Sequence, residues 1–213
     1  IDCITVPADL TGGTFWKWMA LVKGILYALI GEEEIPDPVK RWKNTVGGWP
    51  WSRISDGFNA REPKSWDPKT WQRLERFGEE DYQWGFAKTL LAIDVQTKKV
   101  LWHHHEQQPI DSRAVCMKNG RLYFSRFGSY IGCLDTGTGK EIWRKTAEKD
   151  PELFKAIGPY CPFEHARTGW RTTIYARCSD EALYFAGPQV FDLTAIAGQD
   201  GRHLWTYPAE RNP

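Results

Sequence analysis

The sequence predicts an all-β fold assembled from repeated four-stranded units, and three observations carry that reading. Composition comes first: twelve tryptophans, 19 glycines and 13 prolines in 213 residues are too aromatic and too often punctuated for a helical protein. A hairpin then recurs three times, each copy an alternating strand, a polar turn and a second strand ending in tryptophan. Spacing is the third: Trp102 and Trp143 lie 41 residues apart, the length of one four-stranded unit in a radial β-repeat.

The elements follow in chain order. Residues 18–32 hold the first strands, where Gly24-Ile25-Leu26-Tyr27 leaves a turn and enters an apolar run. The same opening returns at Gly120-Arg121-Leu122-Tyr123 and at Glu181-Ala182-Leu183-Tyr184. Residues 90–102 complete the first unit beyond a long insertion; a second unit spans 115–143 and a third 174–205. In the closing hairpins Asp94 and Asp135 begin the turn, and Gly139 and Gly201 supply the positive φ that a tight turn needs. Tyr123 precedes Trp143 by 20 residues and Tyr184 precedes Trp205 by 21, so the halves of each unit keep phase. Trp143 and Trp205 are 62 residues apart, one period plus an insertion placed at 147–171.

The pattern A-x-D-x-x-T-G-x-x-x-W resembles the tryptophan-docking repeat of the PQQ-like (quinoprotein alcohol dehydrogenase-like) β-propellers, a family that includes outer-membrane assembly lipoproteins. The second copy matches at Asp135, Thr138, Gly139 and Trp143, with Cys133 at the alanine position. The first copy has Lys98 in place of glycine; the third has Ala197 for aspartate and Asp200 for threonine. The resemblance covers residues 18–31 and 86–207. It implies that Trp102, Trp143 and Trp205 are wedges between blades, that the full ring has eight blades, and that the protein is periplasmic or extracellular. Three blades do not close a ring. Residues 1–213 are therefore expected to be a partial propeller domain, completed by the remaining blades of the same polypeptide or by other copies. The start at Ile1, with neither an initiator methionine nor a signal peptide, agrees with a processed or partial chain.

The insertion at 32–84 carries six of the tryptophans and five prolines. Trp49, Trp51, Trp66 and Trp71, with Arg53, can line a site for a sugar or an aromatic ligand. The competing reading folds them back over the propeller as a satellite core. His103 and His105 share one strand face and can share a metal, with Glu106 as a third ligand if the strand ends there; the plainer reading leaves them solvated.

Cys3, Cys116, Cys133, Cys161 and Cys178 are irregularly spaced with no CxxC, which excludes a zinc ribbon or a thioredoxin-like centre. A bridge between Cys161 and Cys178 competes with the reading of buried hydrophobes in strands. Gly137-Thr138-Gly139-Lys140 lacks the spacing of a phosphate loop. A net charge of +1 argues against binding nucleic acid through phosphate neutralisation. The apolar run 25–30 is far short of a membrane span.

The resemblance would require of a catalytic member adjacent cysteines, calcium ligands and an aspartate base. The cysteines are never adjacent, and Asp94 and Asp135 belong to turns. The expectation is a non-catalytic binding or scaffold module without a cofactor, recognising a protein or carbohydrate ligand. The alternative is part of a quinoprotein dehydrogenase, with PQQ and calcium, or of a carbohydrate-active propeller enzyme.

Overall fold

The recurring hairpins pair into three sheets of four antiparallel strands, each visited in sequence order. The computed structural model describes residues 3–31, 85–126, 128–157, 174–187 and 190–208. The first sheet holds β1 (Phe15–Val22), β2 (Ile25–Gly31), β3 (Phe86–Asp94) and β4 (Val100–Asp111). The second holds β5 (Cys116–Lys118), β6 (Arg121–Arg126), β7 (Tyr130–Asp135) and β8 (Glu141–Thr146). The third holds β9 (Tyr175–Cys178), β10 (Ala182–Gly187), β11 (Val190–Ala197) and β12 (His203–Tyr207). Four-stranded meanders packed face against face are propeller blades, and the described residues supply three consecutive ones.

Period-2 alternation decides which face of each blade meets which neighbour. Tyr27, Leu29, Leu90 and Ala92 of the first blade pack with Leu122, Phe124 and Leu134 of the second. The opposite face of the second blade sends Tyr123, Ile131 and Cys133 against Leu183, Phe185 and Ile196 of the third. On the far side of the first blade, Ala28, Ile30, Leu91 and Ile93 are buried with Val6, and Ile4 packs against them. Val6 and Ile4 belong to the N-terminal segment that leads into a single helical turn, α1 (Ala8–Thr11).

All three closing turns have one backbone geometry. The Asp94 N–H donates to the Lys99 carbonyl at 3.0 Å and the Lys98 N–H to the Asp94 carbonyl at 2.7 Å. Asp135 with Lys140 and Gly139 repeats the pair at 2.9 and 2.8 Å, and Ala197 with Arg202 and Gly201 at 2.7 and 2.9 Å. Lys98, Gly139 and Gly201 share a left-handed φ of 59°, 69° and 73°. Aspartate at the first position is thus an addition to the turn: Asp135 Oδ1 accepts from the Thr138 N–H and hydroxyl, while Ala197 makes the same turn without a carboxylate. A bulge follows in each blade, since Ala92, Cys133 and Ala195 pair with the tryptophan while the next residue pairs two positions earlier. Leu101, Ile142 and Leu204 are the skipped residues, and each is turned out to solvent.

The two insertions differ in what they add. Residues 32–84 leave the end of β2 and return to β3, whose pairing (Leu29 with Leu90, Tyr27 with Ala92) is that of adjacent strands. Trp49, Trp51, Arg53, Trp66 and Trp71 lie outside the described residues. The second insertion begins with α2 (Pro151–Ile157), which buries Leu153 and Ile157 against the second and third blades. Its Ala156 carbonyl accepts a 2.7 Å hydrogen bond from Thr194 Oγ1.

Candidate functional site

Each blade sets a tyrosine on its second strand beside the tryptophan of its fourth. Ring centroids are 6.1 Å apart for Tyr27 and Trp102, 6.1 Å for Tyr123 and Trp143, and 6.0 Å for Tyr184 and Trp205. The first two pairs reach into the next blade. Trp102 Nε1 donates to the Thr136 carbonyl at 2.8 Å, and Trp143 Nε1 to the Gly198 carbonyl at 3.1 Å. The Tyr123 hydroxyl donates to the same Gly198 carbonyl at 3.1 Å. Glycine is required where the indole lies on the turn: a Cβ at Gly139 would sit 2.6 Å from Trp102 Cδ2, and one at Gly201 2.9 Å from Trp143 Cζ3. Trp205 has the same place on the third blade but remains 44% exposed, against 8% for Trp102.

Beside this apolar junction, the first and second blades enclose a charged cluster. Strand β4 brings His104 and Glu106, and β8 brings Glu141 and Arg144. His104 Nε2 is 2.6 Å from Glu106 Oε1. Arg144 Nη2 lies 2.5 Å from Glu106 Oε1 and 2.7 Å from Glu141 Oε2. Arg144 Nε also donates to Glu141 Oε2 at 2.8 Å. The guanidinium stands 5.1 Å from the Tyr130 ring centroid and 5.8 Å from that of Phe124, positions that favour cation–π attraction. Gly132 faces Arg144 in register, and a Cβ there would come within 2.3 Å of Phe124 Cζ. The bare backbone at 132 is what admits the aromatic floor of the cluster.

Electrostatics follow from this enclosure. Burial works against ionising Glu106, but hydrogen bonds from His104 and Arg144 and the guanidinium charge outweigh it and hold its carboxyl below the usual range. Burial likewise opposes the charge on Arg144, and its bonds to the two glutamates raise it. The Tyr130 phenol is pushed up by burial and by the Glu106 charge, and its hydroxyl donates to the Gln108 carbonyl at 3.0 Å. Donor atoms of His104, Glu106 and Glu141 fall within 4.8 Å of one another, close enough for a common cation. Arg144 already bridges both carboxylates, so an entering ion would have to displace a guanidinium. The arrangement is an ionic latch between blades.

The trio proposed from sequence does not assemble. Strand β4 continues to Asp111, so alternation keeps Glu106 on the face of His104, away from His103 and His105. His105 Nδ1 lies 3.0 Å from Thr89 Oγ1 within its own sheet, and His103 is exposed. Sequence reading missed Glu141 and Arg144 because the cluster joins residues 38 positions apart and the bulge at Ile142 resets the alternation between them. Asp94, Asp135, Gly139 and Gly201 stand in the closing turns, as the hairpin pattern implies.

Cys178 carries a free thiol, and Cys161, with which the sequence could pair it, lies outside the described residues. Its neighbour is Cys116 in the second blade, to which it hydrogen-bonds. That bond, with burial, raises Cys116, while the same bond lowers Cys178.

No protein-family model matches the chain, and no curated protein matches it. Similar solved structures include the computationally designed Ika8 protein, at 11% identity over 93% of this chain and 38% of that one, with a TM-score of 0.46. BamB from Moraxella catarrhalis is similar at 14% identity over 58% of this chain and 33% of that one, TM-score 0.41. Quinohemoprotein alcohol dehydrogenase from Comamonas testosteroni is similar at 18% identity over 57% and 19%, TM-score 0.36. The chain spans 38% or less of the length of these three proteins. Among the described residues, no helix is long and apolar enough to cross a membrane.

Proposed function

We propose that this chain is a run of blades from a larger PQQ-like β-propeller and that the module binds or scaffolds rather than catalyses. The observation that carries the reading is the junction built twice from one set of parts: tyrosine, tryptophan, a turn carbonyl and a glycine. The charged cluster supports it. Its carboxylates, histidine and guanidinium are engaged with one another, and their contacts tie β4 to β8. On this reading the ring reaches eight blades through the rest of the polypeptide. The aromatic insertion at 32–84 recognises a protein or carbohydrate ligand, and the protein works in the periplasm or outside the cell.

Titration with PQQ and calcium, followed by visible absorbance and tryptophan fluorescence, tests the non-catalytic part. The expected outcome is no saturable change at micromolar quinone. Saturable quenching would transfer the chain to the quinoprotein dehydrogenases.

A further inference from the structure

Strands β5 and β9 open the second and third blades and belong to different sheets, yet they lie against each other. Lys118 Nζ is 3.2 Å from Asp180 Oδ1, and Asn119 Nδ2 donates to the same oxygen at 3.2 Å. Two residues back from Lys118 and Asp180, at the same offset of 62 positions, stand two thiols, Cys116 and Cys178, which hydrogen-bond to each other. Both pack against the apolar cluster between these blades, and both keep part of their surface open to solvent.

The two sulfurs are not equivalent. The bond from Cys116 lowers the Cys178 thiol, burial opposes that shift, and the charges of Lys118 and Arg177 lower it further. Cys116 is the more deeply buried, and it is raised by its bond to Cys178, by burial and by the charge on Cys178. Derivatising the Cys178 sulfur removes the first and last of these causes and leaves Arg177 acting to lower Cys116. Cys178 is thereby the attacking thiol and Cys116 the resolving one. Cys133 belongs to the same cluster, but burial pushes its thiol up to about 12 and keeps it protonated.

We propose that Cys116 and Cys178 form a thiol–disulfide exchange site that takes a low-molecular-weight disulfide and closes into a covalent staple between the second and third blades. In the first step the Cys178 thiolate attacks one sulfur of the small disulfide. A mixed disulfide forms, the small S–S bond breaks, and one small thiol leaves with the proton given up by Cys178. In the second step Cys116 loses its proton and attacks the Cys178 sulfur. The protein S–S bond forms and the second small thiol departs with that proton, so two electrons have passed from the two cysteines to the small disulfide. The staple closes a loop from 116 to 178 that contains α2 and the second insertion, which restricts the unfolded chain. It needs only the contact between β5 and β9, so it is independent of ring size and of quinone binding.

The test incubates the reduced, intact chain with glutathione disulfide and follows it by intact mass and peptide mapping. Wild-type protein should lose two hydrogens in a bridge mapped to Cys116 and Cys178, and its urea midpoint should rise and fall back on reduction. Cys116→Ser should stall with one glutathione on Cys178, whereas Cys178→Ser should leave residue 116 unmodified over the same interval. The wild-type map decides the pairing even if a variant fails to fold. A bridge from Cys178 to Cys133 or Cys161, a wild-type protein that stops at the glutathione adduct, a first adduct on Cys116, or an unmoved midpoint overturns the proposal.

Discussion

Replacing Gly139 by alanine adds one methyl group at the contact between the first two blades. The backbone there has φ of 69°, which costs an L-residue roughly 1–2 kcal/mol. The new Cβ would also lie 2.6 Å from both Cδ2 and Cε3 of Trp102, an overlap that can be relieved only by moving a buried indole off its bond to Thr136. Overpacking of this kind costs about 1–3 kcal/mol. The two terms together predict a loss of roughly 2–5 kcal/mol. Gly120→Ala is the control: its φ is 73°, and the nearest atom to a Cβ is Thr136 Oγ1 at 3.9 Å, so only the backbone term applies. Urea unfolding followed by fluorescence should place the Gly139 variant about 1–3 kcal/mol below the Gly120 variant. Equal losses would refute the seating of Trp102 on the turn of the second blade.

Trp143→Ala, which empties the second junction and leaves the Gly198 carbonyl without its indole donor, should cost ~3–5 kcal/mol, whereas Trp205→Ala should cost under about 1 kcal/mol because its indole is exposed. Thermal melts of the two variants check this. Glu106 has its carboxyl lowered in the folded state, so the stability it contributes is full above its ordinary pKa of 4.5 and is lost as pH falls through the lowered folded value. Glu106→Gln should therefore be less stable at neutral pH and flatter on acidification; parallel acid profiles would count against the latch. Alkylation with iodoacetamide at mildly alkaline pH, read by mass spectrometry, should modify exposed Cys3 and the lowered Cys178 before Cys133, whose thiol burial pushes up to about 12. Early labelling of Cys133 would contradict its place in the core between the second and third blades.

Much of the fold is legible in the sequence because its signals are local. Strand alternation, the opening Gly-x-Leu-Tyr of two blades and the tryptophan closing each hairpin all act within about ten residues of one another, and they locate the three blades. Even where the aspartate and threonine of the pattern are missing, around Ala197, the turn forms, since a glycine with left-handed φ and two backbone hydrogen bonds are enough to close it. The site is less legible. Glu106 and Arg144 meet only because neighbouring blades stack, and Glu141 joins them only because the bulge at Ile142 turns it to Arg144's face. His103 and His105 are paired by alternation alone, and the continuation of β4 to Asp111 removes their third ligand. The same residue types at the same spacing thus have different environments in different blades. Trp102 is buried and Trp205 exposed although their own hairpins are alike, because burial of an inter-blade side chain is set by the neighbouring blade, a contact that sequence periodicity does not encode.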